Sequence, residues 1–180
     1  LEYMGLINAI ADGISDTISQ ADESNRLMVA VLLLLWVSAI ASAFIDNIPY
    51  TATMVPVVIE LASNPELGLA LGPLAWALAL GACLGGNGTI IGASANVVAA
   101  GLAEEAGYDI SFNRFFKTGF PIMILTVTLA TAYCVVRYAI EWSNDVIPMA
   151  IIAGMMLLSV SLTPMIYGPP PSSPPDFELE

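Results

Sequence analysis

The chain has 180 residues and a net charge of −12, from 16 acidic against 4 basic side chains; 57% of it is hydrophobic and 11% is charged. A soluble domain carries about 25% charged residues, and a chain this short cannot bury several long apolar blocks around itself. These figures exclude an ordinary soluble domain, and the acidity excludes a basic nucleic-acid-binding surface. No histidine is present, so zinc sites and catalytic triads built on imidazole are excluded, and no nucleophile–base pair marks an enzyme.

Residues 1–25 read as an amphipathic or partial helix followed by a loop. Leu6, Ile7, Ile10, Ile14 and Ile18 recur at helical spacing opposite Asn8, Asp12, Ser15 and Asp16. This pattern fits a helix lying at the membrane interface, or the end of a preceding transmembrane helix. The chain opens on a leucine without a signal-peptide layout and is expected to be the C-terminal part of something longer.

Residues 26–62 hold two apolar arms around Asp46-Asn47-Ile48-Pro49. Proline lacks an amide hydrogen and disfavours helical backbone in the residue before it, so the first arm is expected to stop there. The second arm runs from about Tyr50 to Ala62, with Pro56 expected to bend it, and Ser63-Asn64-Pro65-Glu66 is a turn. The arms could form one span with a kinked continuation, or a re-entrant hairpin with Asp46-Asn47 at its tip. The polar tetrapeptide between two apolar arms favours the hairpin.

Residues 73–103 read as a broken transmembrane helix. Leu67–Ala103 carries no charge, yet Gly81, Gly85, Gly86, Gly88 and Gly92 crowd its middle. Each interior glycine costs a helix about 1 kcal/mol relative to alanine, so this segment is unwound, closely packed, or both. Gly81/Gly85 and Gly88/Gly92 match the small-xxx-small packing pattern. The glycine run fits neither a dinucleotide fingerprint nor a P-loop, because it follows no strand and contains no lysine.

Glu104–Asn113 reads as a polar loop, and residues 113–142 contain a transmembrane helix whose apolar stretch starts at Thr118. Arg114 and Lys117 place that loop on the cytoplasmic side. Residues 146–167 are a candidate further span weakened by Pro148 and Pro164, and the proline-rich residues 168–180 are expected to be disordered. Cys83 and Cys134 lie in apolar blocks and read as buried, reduced packing residues.

The fold class is therefore all-α and integral to the membrane: a re-entrant helical hairpin, a broken transmembrane helix and one or two further spans. Polar groups and unwound backbone survive at membrane depth only inside a protein- or water-lined cavity. Asp46 is the sharpest signal, because a carboxylate at bilayer depth costs at least about 2.5 kcal/mol and no basic residue lies in its block. Cation coordination or proton coupling fits it, against the plainer role of capping a helix. Asn47, Thr51, Thr53, Asn87, Thr89, Ser94 and Asn96, with Gly88 in the unwound segment, supply oxygens, amides and backbone for a substrate or ion. Hard cations take oxygen ligands, so sodium at Asp46 and Asn47 is one candidate and a proton is the other; no further cofactor is expected. Half-helix N-termini suit an anion. The plainer role of such groups is to bridge helices.

Three strings, SAFIDNIPYTATMVPV, PLAWALALGACLGGNGTIIGASANVVAAGLAEEAGY and SFNRFFKTGFP, resemble the ion transporter superfamily, which includes citrate transporter-like, arsenite and sodium/dicarboxylate carriers. The resemblance covers roughly Leu1–Trp142 and is greatest to a melanosomal branch of the superfamily. It implies two inverted repeats, each with a re-entrant hairpin and a broken helix, of which this chain is the second; the first would be a missing partner. It also implies that Asp46 and Asn47 lie at a cation and substrate site and that Asn96 ends the broken-helix motif. At the hairpin the sequence departs from the dicarboxylate carriers, with Asp for Ser and an Ile-Pro-Tyr insertion. The segment after Trp142 has no counterpart.

The expected function is secondary transport of small anions or ions, coupled to a cation or proton, with a homodimer as the candidate assembly; the resemblance implies a membrane of organelle type such as the melanosome. The competing readings are an anion channel and a multi-helix membrane protein that transports nothing.

Overall fold

A computed structural model describes residues 6–139, and the described chain is all-helical. Its elements are α1 (Leu6–Ser19), a 3-10 turn (Glu23–Asn25), α2 (Arg26–Ser42), α3 (Asn47–Ser63), α4 (Leu71–Gly85), α5 (Ser94–Glu105) and α6 (Phe112–Ala139). The candidate span at 146–167, the tail at 168–180 and the end of the 113–142 helix lie outside the described residues.

α2 and α3 run antiparallel. At the open end, Arg26 Nη1 donates to the carbonyl of Glu66 (3.1 Å). At the closed end, the Tyr50 hydroxyl meets Ser38 Oγ in a buried contact (3.2 Å). The arms nonetheless touch each other little, and both pack on α4, α2 most extensively. The hairpin is thus held open around a third helix.

Small residues allow this. A Cβ on Gly81 would stand 2.4 Å from the Leu35 carbonyl oxygen, and one on Gly85 would stand 2.3 Å from that of Ala39. Buried Ser42 donates to the carbonyl of Ala82 across the same seam (2.7 Å). Because that carbonyl also accepts from Gly86 N–H (3.2 Å), Ser42→Ala should be mild. Interhelical hydrogen bonds in membranes average about 0.6 kcal/mol, and a thermal transition within a few degrees of wild type is the expected measurement.

Aliphatic side chains fill the centre: Val31, Leu34 and Leu35 from α2, Val57 from α3, and Leu74 and Ala77 from α4 are fully buried. α6 covers one flank with Met123, Val127 and Cys134, and Trp36 Nε1 donates to Thr131 Oγ1 (3.0 Å) to join α2 to it. Cys134 is buried as expected, whereas Cys83 on α4 is exposed, an apolar block giving no guide to which face of its helix is covered. α1 packs on α3 and α2, with Ile18 fully buried. The outer surface is apolar: Ile48, Trp76, Val98 and Leu102 are each more than half exposed. Exposed large apolar side chains on α3, α4 and α5 suit a surface covered by lipid or by further protein.

Several boundaries differ from expectation. α3 starts at Asn47, so Pro49 lies in its first turn, where the missing amide hydrogen would have had no helical partner. Pro56 and Pro121 both lie within helices assigned without interruption. α6 starts at Phe112, one residue before the expected 113 and well ahead of its apolar stretch. Ser111 stands at its head, its carbonyl accepting from Phe115 N–H (3.0 Å) and its hydroxyl facing Arg114 N–H at 3.4 Å. The uncharged block Leu67–Ala103 is split by the break at 86–93. Among the described residues, α6 alone is long and apolar enough to cross a membrane, and α2 and α4 are shorter apolar helices.

Candidate functional site at the hairpin tip and the helix break

The tip of the hairpin and the break between α4 and α5 form one structure. α2 ends at Ser42, and its last carbonyls need partners. One comes from the break: buried Thr89 donates its hydroxyl to the carbonyl of Ala43, while the same oxygen accepts from Gly92 N–H (3.1 Å). Gly92 presses against the end of α2 so closely that a Cβ there would lie 2.9 Å from the carbonyl oxygens of Ser42 and Ala43. Gly88 is enclosed between Ala43 and Met123.

The break keeps its shape through Asn96. Its side-chain amide reaches back from the first turn of α5 and donates to the carbonyls of Gly86 (2.8 Å) and Thr89 (3.0 Å). The Gly86 carbonyl, freed by the unwinding, thus regains a partner inside the protein, and the Thr89 carbonyl, which also accepts from Gly92 N–H (3.2 Å), gains a second.

Asp46 lies where two helices begin. It is the N-cap of α3, and its Oδ1 accepts from Ile48 N–H (3.0 Å). α5 follows Ala93, whose side chain cannot cap. Asp46 supplies that cap across the gap: Oδ2 accepts from Ser94 N–H (2.7 Å) and from the Ser94 hydroxyl. One carboxylate therefore receives the N-termini of both α3 and α5, where aligned peptide dipoles leave partial positive charge. All three donors are neutral. The side chain is only partly covered, so a small ion can approach it.

The other predicted site residues divide into groups. Asn47 and Thr51 lie half-buried on the first turns of α3, with no side-chain hydrogen bond among the described residues. Thr53 donates to the carbonyl of Pro49 in its own helix (2.9 Å). Thr89, Asn96 and Gly88 hold the backbone of the break. Asn87 is exposed and lines a cleft of about 550 Å³ bordered by α6, which Arg114 and Thr118 also line. Sequence reading used Arg114 only as a marker of topology. Its place in the first turn of α6 was the available signal for a further role. The Ala43 carbonyl and the Ser38–Tyr50 pair were missed because neither belongs to a polar cluster in the sequence.

α5 is the loosest element. It buries no residue and makes no helix–helix packing contact among the described elements. Its tie to the rest runs through Ser94 and Asn96 at one end. At the other, a Schellman turn closes it: Tyr108 N–H donates to the Ala103 carbonyl (2.8 Å) and Gly107 N–H to that of Glu104 (2.9 Å). Gly107 takes φ +85°, which a side chain would strain.

Comparison with known proteins finds one family match and several relatives. Residues 1–81 match the citrate transporter family. The chain is similar to the P protein of Homo sapiens, at 50% identity over 144 residues covering 80% of this chain and 17% of that protein. It is also similar to a 46 kDa membrane protein of Mycobacterium leprae, at 45% identity over 113 residues, 63% of this chain and 26% of the relative. An uncharacterized transporter of Mycobacterium tuberculosis is 46% identical over the same length, again 63% of this chain and 26% of the relative. The chain thus spans between about a sixth and about a quarter of these relatives. No solved structure matches it.

Proposed function

We propose, on the premise that this chain is a homologue of the citrate transporter-like and P protein group of membrane transporters, that it forms part of a secondary transporter of small anions or ions coupled to a cation or proton at Asp46. The observation that carries this reading is the single carboxylate received by two helix N-termini. In its charged form Asp46 keeps α5 attached to α3. A proton or a cation such as sodium competes with the Ile48 and Ser94 donors for the same oxygens. Once the carboxylate is neutralised, the N–H groups of both helices are released toward an anion, so cation and anion enter together. Asn47, Thr51 and Ser94 line the tip and would complete such a site; Thr89, Gly88 and Asn96 set its shape.

The geometry of the arms supports a re-entrant path. α2 has 17 residues, about 25 Å at 1.5 Å per residue, against a hydrocarbon core about 30 Å thick. It stops short of crossing, and α3 returns toward the level at which α2 began. α6, with 28 residues, reaches about 42 Å and is the scaffold element. Upstream sequence would supply the facing inverted repeat, and a homodimer remains part of the proposal, as does an organelle membrane of melanosome type.

The test is flux through the full-length protein in vesicles, with labelled citrate and labelled chloride as probes under an imposed sodium or proton gradient. Asp46→Asn keeps one acceptor oxygen but no charge. It should lower gradient-driven uptake at least about tenfold, a loss of about 1.4 kcal/mol, whereas Asp22→Asn, in the exposed turn before α2, should change nothing. Undiminished, fully coupled uptake by Asp46→Asn overturns the assignment.

A further inference from the structure

The cleft beyond the break is separate from the hairpin tip. α6 forms one wall, and the end of α5 with the segment after it forms the other. From it we infer that the cleft holds the headgroup of an anionic membrane phospholipid, with Arg114 as the residue that binds it.

The order of groups along α6 carries the argument. Arg114 is in the first turn of the membrane-crossing helix and is exposed at the rim of the cleft. Thr118 follows one turn deeper, about 6 Å along the axis, and Ile122 about 12 Å. Phe115 and Tyr108 line the cleft as well. The wall therefore runs from cationic through hydroxyl to apolar as it descends from the interface, which is the order of a phospholipid from phosphate through ester to acyl chain. A free multivalent anion would leave the lower wall unmatched.

Two further observations agree. Arg114 Nη1 donates to the Asp109 carbonyl (3.0 Å), which fixes the guanidinium at the rim. One of its five donors is used in this way, and the rest of the fork is suited to a phosphate. Arg114 and Lys117 are also two of the four basic residues in a chain of net charge −12. Their concentration at one end of α6 marks the side where anionic lipid headgroups are attracted. Asn87 adds an amide from the break, so lipid occupancy would contact the loop that shapes the candidate transport site. The inference requires α6 to cross the bilayer; it does not require that the chain transports anything.

The experiment is native mass spectrometry of the full-length protein in detergent, titrated with phosphatidylglycerol and, separately, phosphatidylcholine. Wild type should retain phosphatidylglycerol about tenfold more strongly. Arg114→Gln should bring the two lipids to parity. Ala103→Phe, which fills the cleft and leaves every charge in place, should do the same. Arg137→Gln removes one positive charge at the far end of α6 and should leave the preference intact. Arg114→Lys keeps the charge and should retain most of the preference, so it decides the matter together with Ala103→Phe if Arg114→Gln fails to fold. A wild-type preference in both Arg114→Gln and Ala103→Phe overturns the inference. So does displacement of phosphatidylglycerol by citrate, which would make the cleft a site for a soluble anion.

Discussion

Gly85→Ala should separate α2 from α4 and lower stability by about 1–3 kcal/mol, the range for overpacked cores. The added Cβ would lie 2.3 Å from the Ala39 carbonyl oxygen and 2.6 Å from its Cα. Both are backbone atoms, so no rotamer change relieves the clash and the helix axes must move apart. Gly81→Ala meets the Leu35 carbonyl oxygen at 2.4 Å and should behave alike. The consequence extends beyond the seam, because the end of α2 bears the Ala43 carbonyl that Thr89 uses and leads directly to Asp46. Displacing α2 therefore misplaces the tip relative to the break, and loss of transport should accompany loss of stability. Gly101→Ala is the internal control. A Cβ there meets nothing within 4 Å, and an interior helical glycine exchanged for alanine should stabilise by up to about 1 kcal/mol. A thermal unfolding series in detergent that ranks Gly85→Ala and Gly81→Ala well below wild type and Gly101→Ala at or above it is the expected result. Equal transitions for Gly85→Ala and Gly101→Ala would refute the close seam.

Those glycines also show what the sequence makes legible. Their number and spacing announce close packing and an unwound segment, and both are present: Gly81 and Gly85 pack on α2, while Gly86, Gly88 and Gly92 lie in the break. Composition cannot reveal the partner of each. That Ala39 faces Gly85 depends on the register of two helices some forty residues apart in sequence, which follows from side-chain shape on both at once. Asp46 was visible because an isolated carboxylate among apolar residues is expensive wherever it is placed. Its second role, capping α5 through Ser94, was hidden because Ala93 gives no local signal that its helix lacks a cap. Pro49 misled in the opposite direction. Proline usually marks a boundary, yet in the first turn it costs the helix no hydrogen bond. Within Leu67–Ala103, hydropathy ran straight across the break, since glycine, threonine and isoleucine keep a segment apolar while its backbone leaves the helix.

Asn96→Ala should have the second large effect, and it bears most directly on how the break is held. The amide of Asn96 serves two carbonyls, those of Gly86 and Thr89. Removing it leaves the Gly86 carbonyl without this donor, while the Thr89 carbonyl keeps Gly92 N–H (3.2 Å); an unsatisfied buried group costs about 1–3 kcal/mol. Compensation from elsewhere is limited, because α5 packs on no other helix among the described elements. Its position depends on Asn96 and on the Asp46–Ser94 contact alone. Asn96→Asp separates the two explanations for any loss. It preserves size and shape but offers oxygens where donors are needed, so it should be at least as damaging as alanine. Asn96→Gln retains the donors on a longer stem and should recover part of the stability. The Asp46→Asn variant is expected to weaken coupling with a smaller change in the thermal transition, because its remaining carbonyl oxygen can still accept from Ser94 N–H. Asn96→Ala should lower both together, since it releases the loop that positions Thr89 against the end of α2. Hydrogen exchange at the amides of Gly86–Ser94 would measure this directly, with protection expected to fall in Asn96→Ala and to persist in Asp46→Asn. Unchanged protection in Asn96→Ala would mean that the break is held by its glycine contacts with α2 and not by the asparagine.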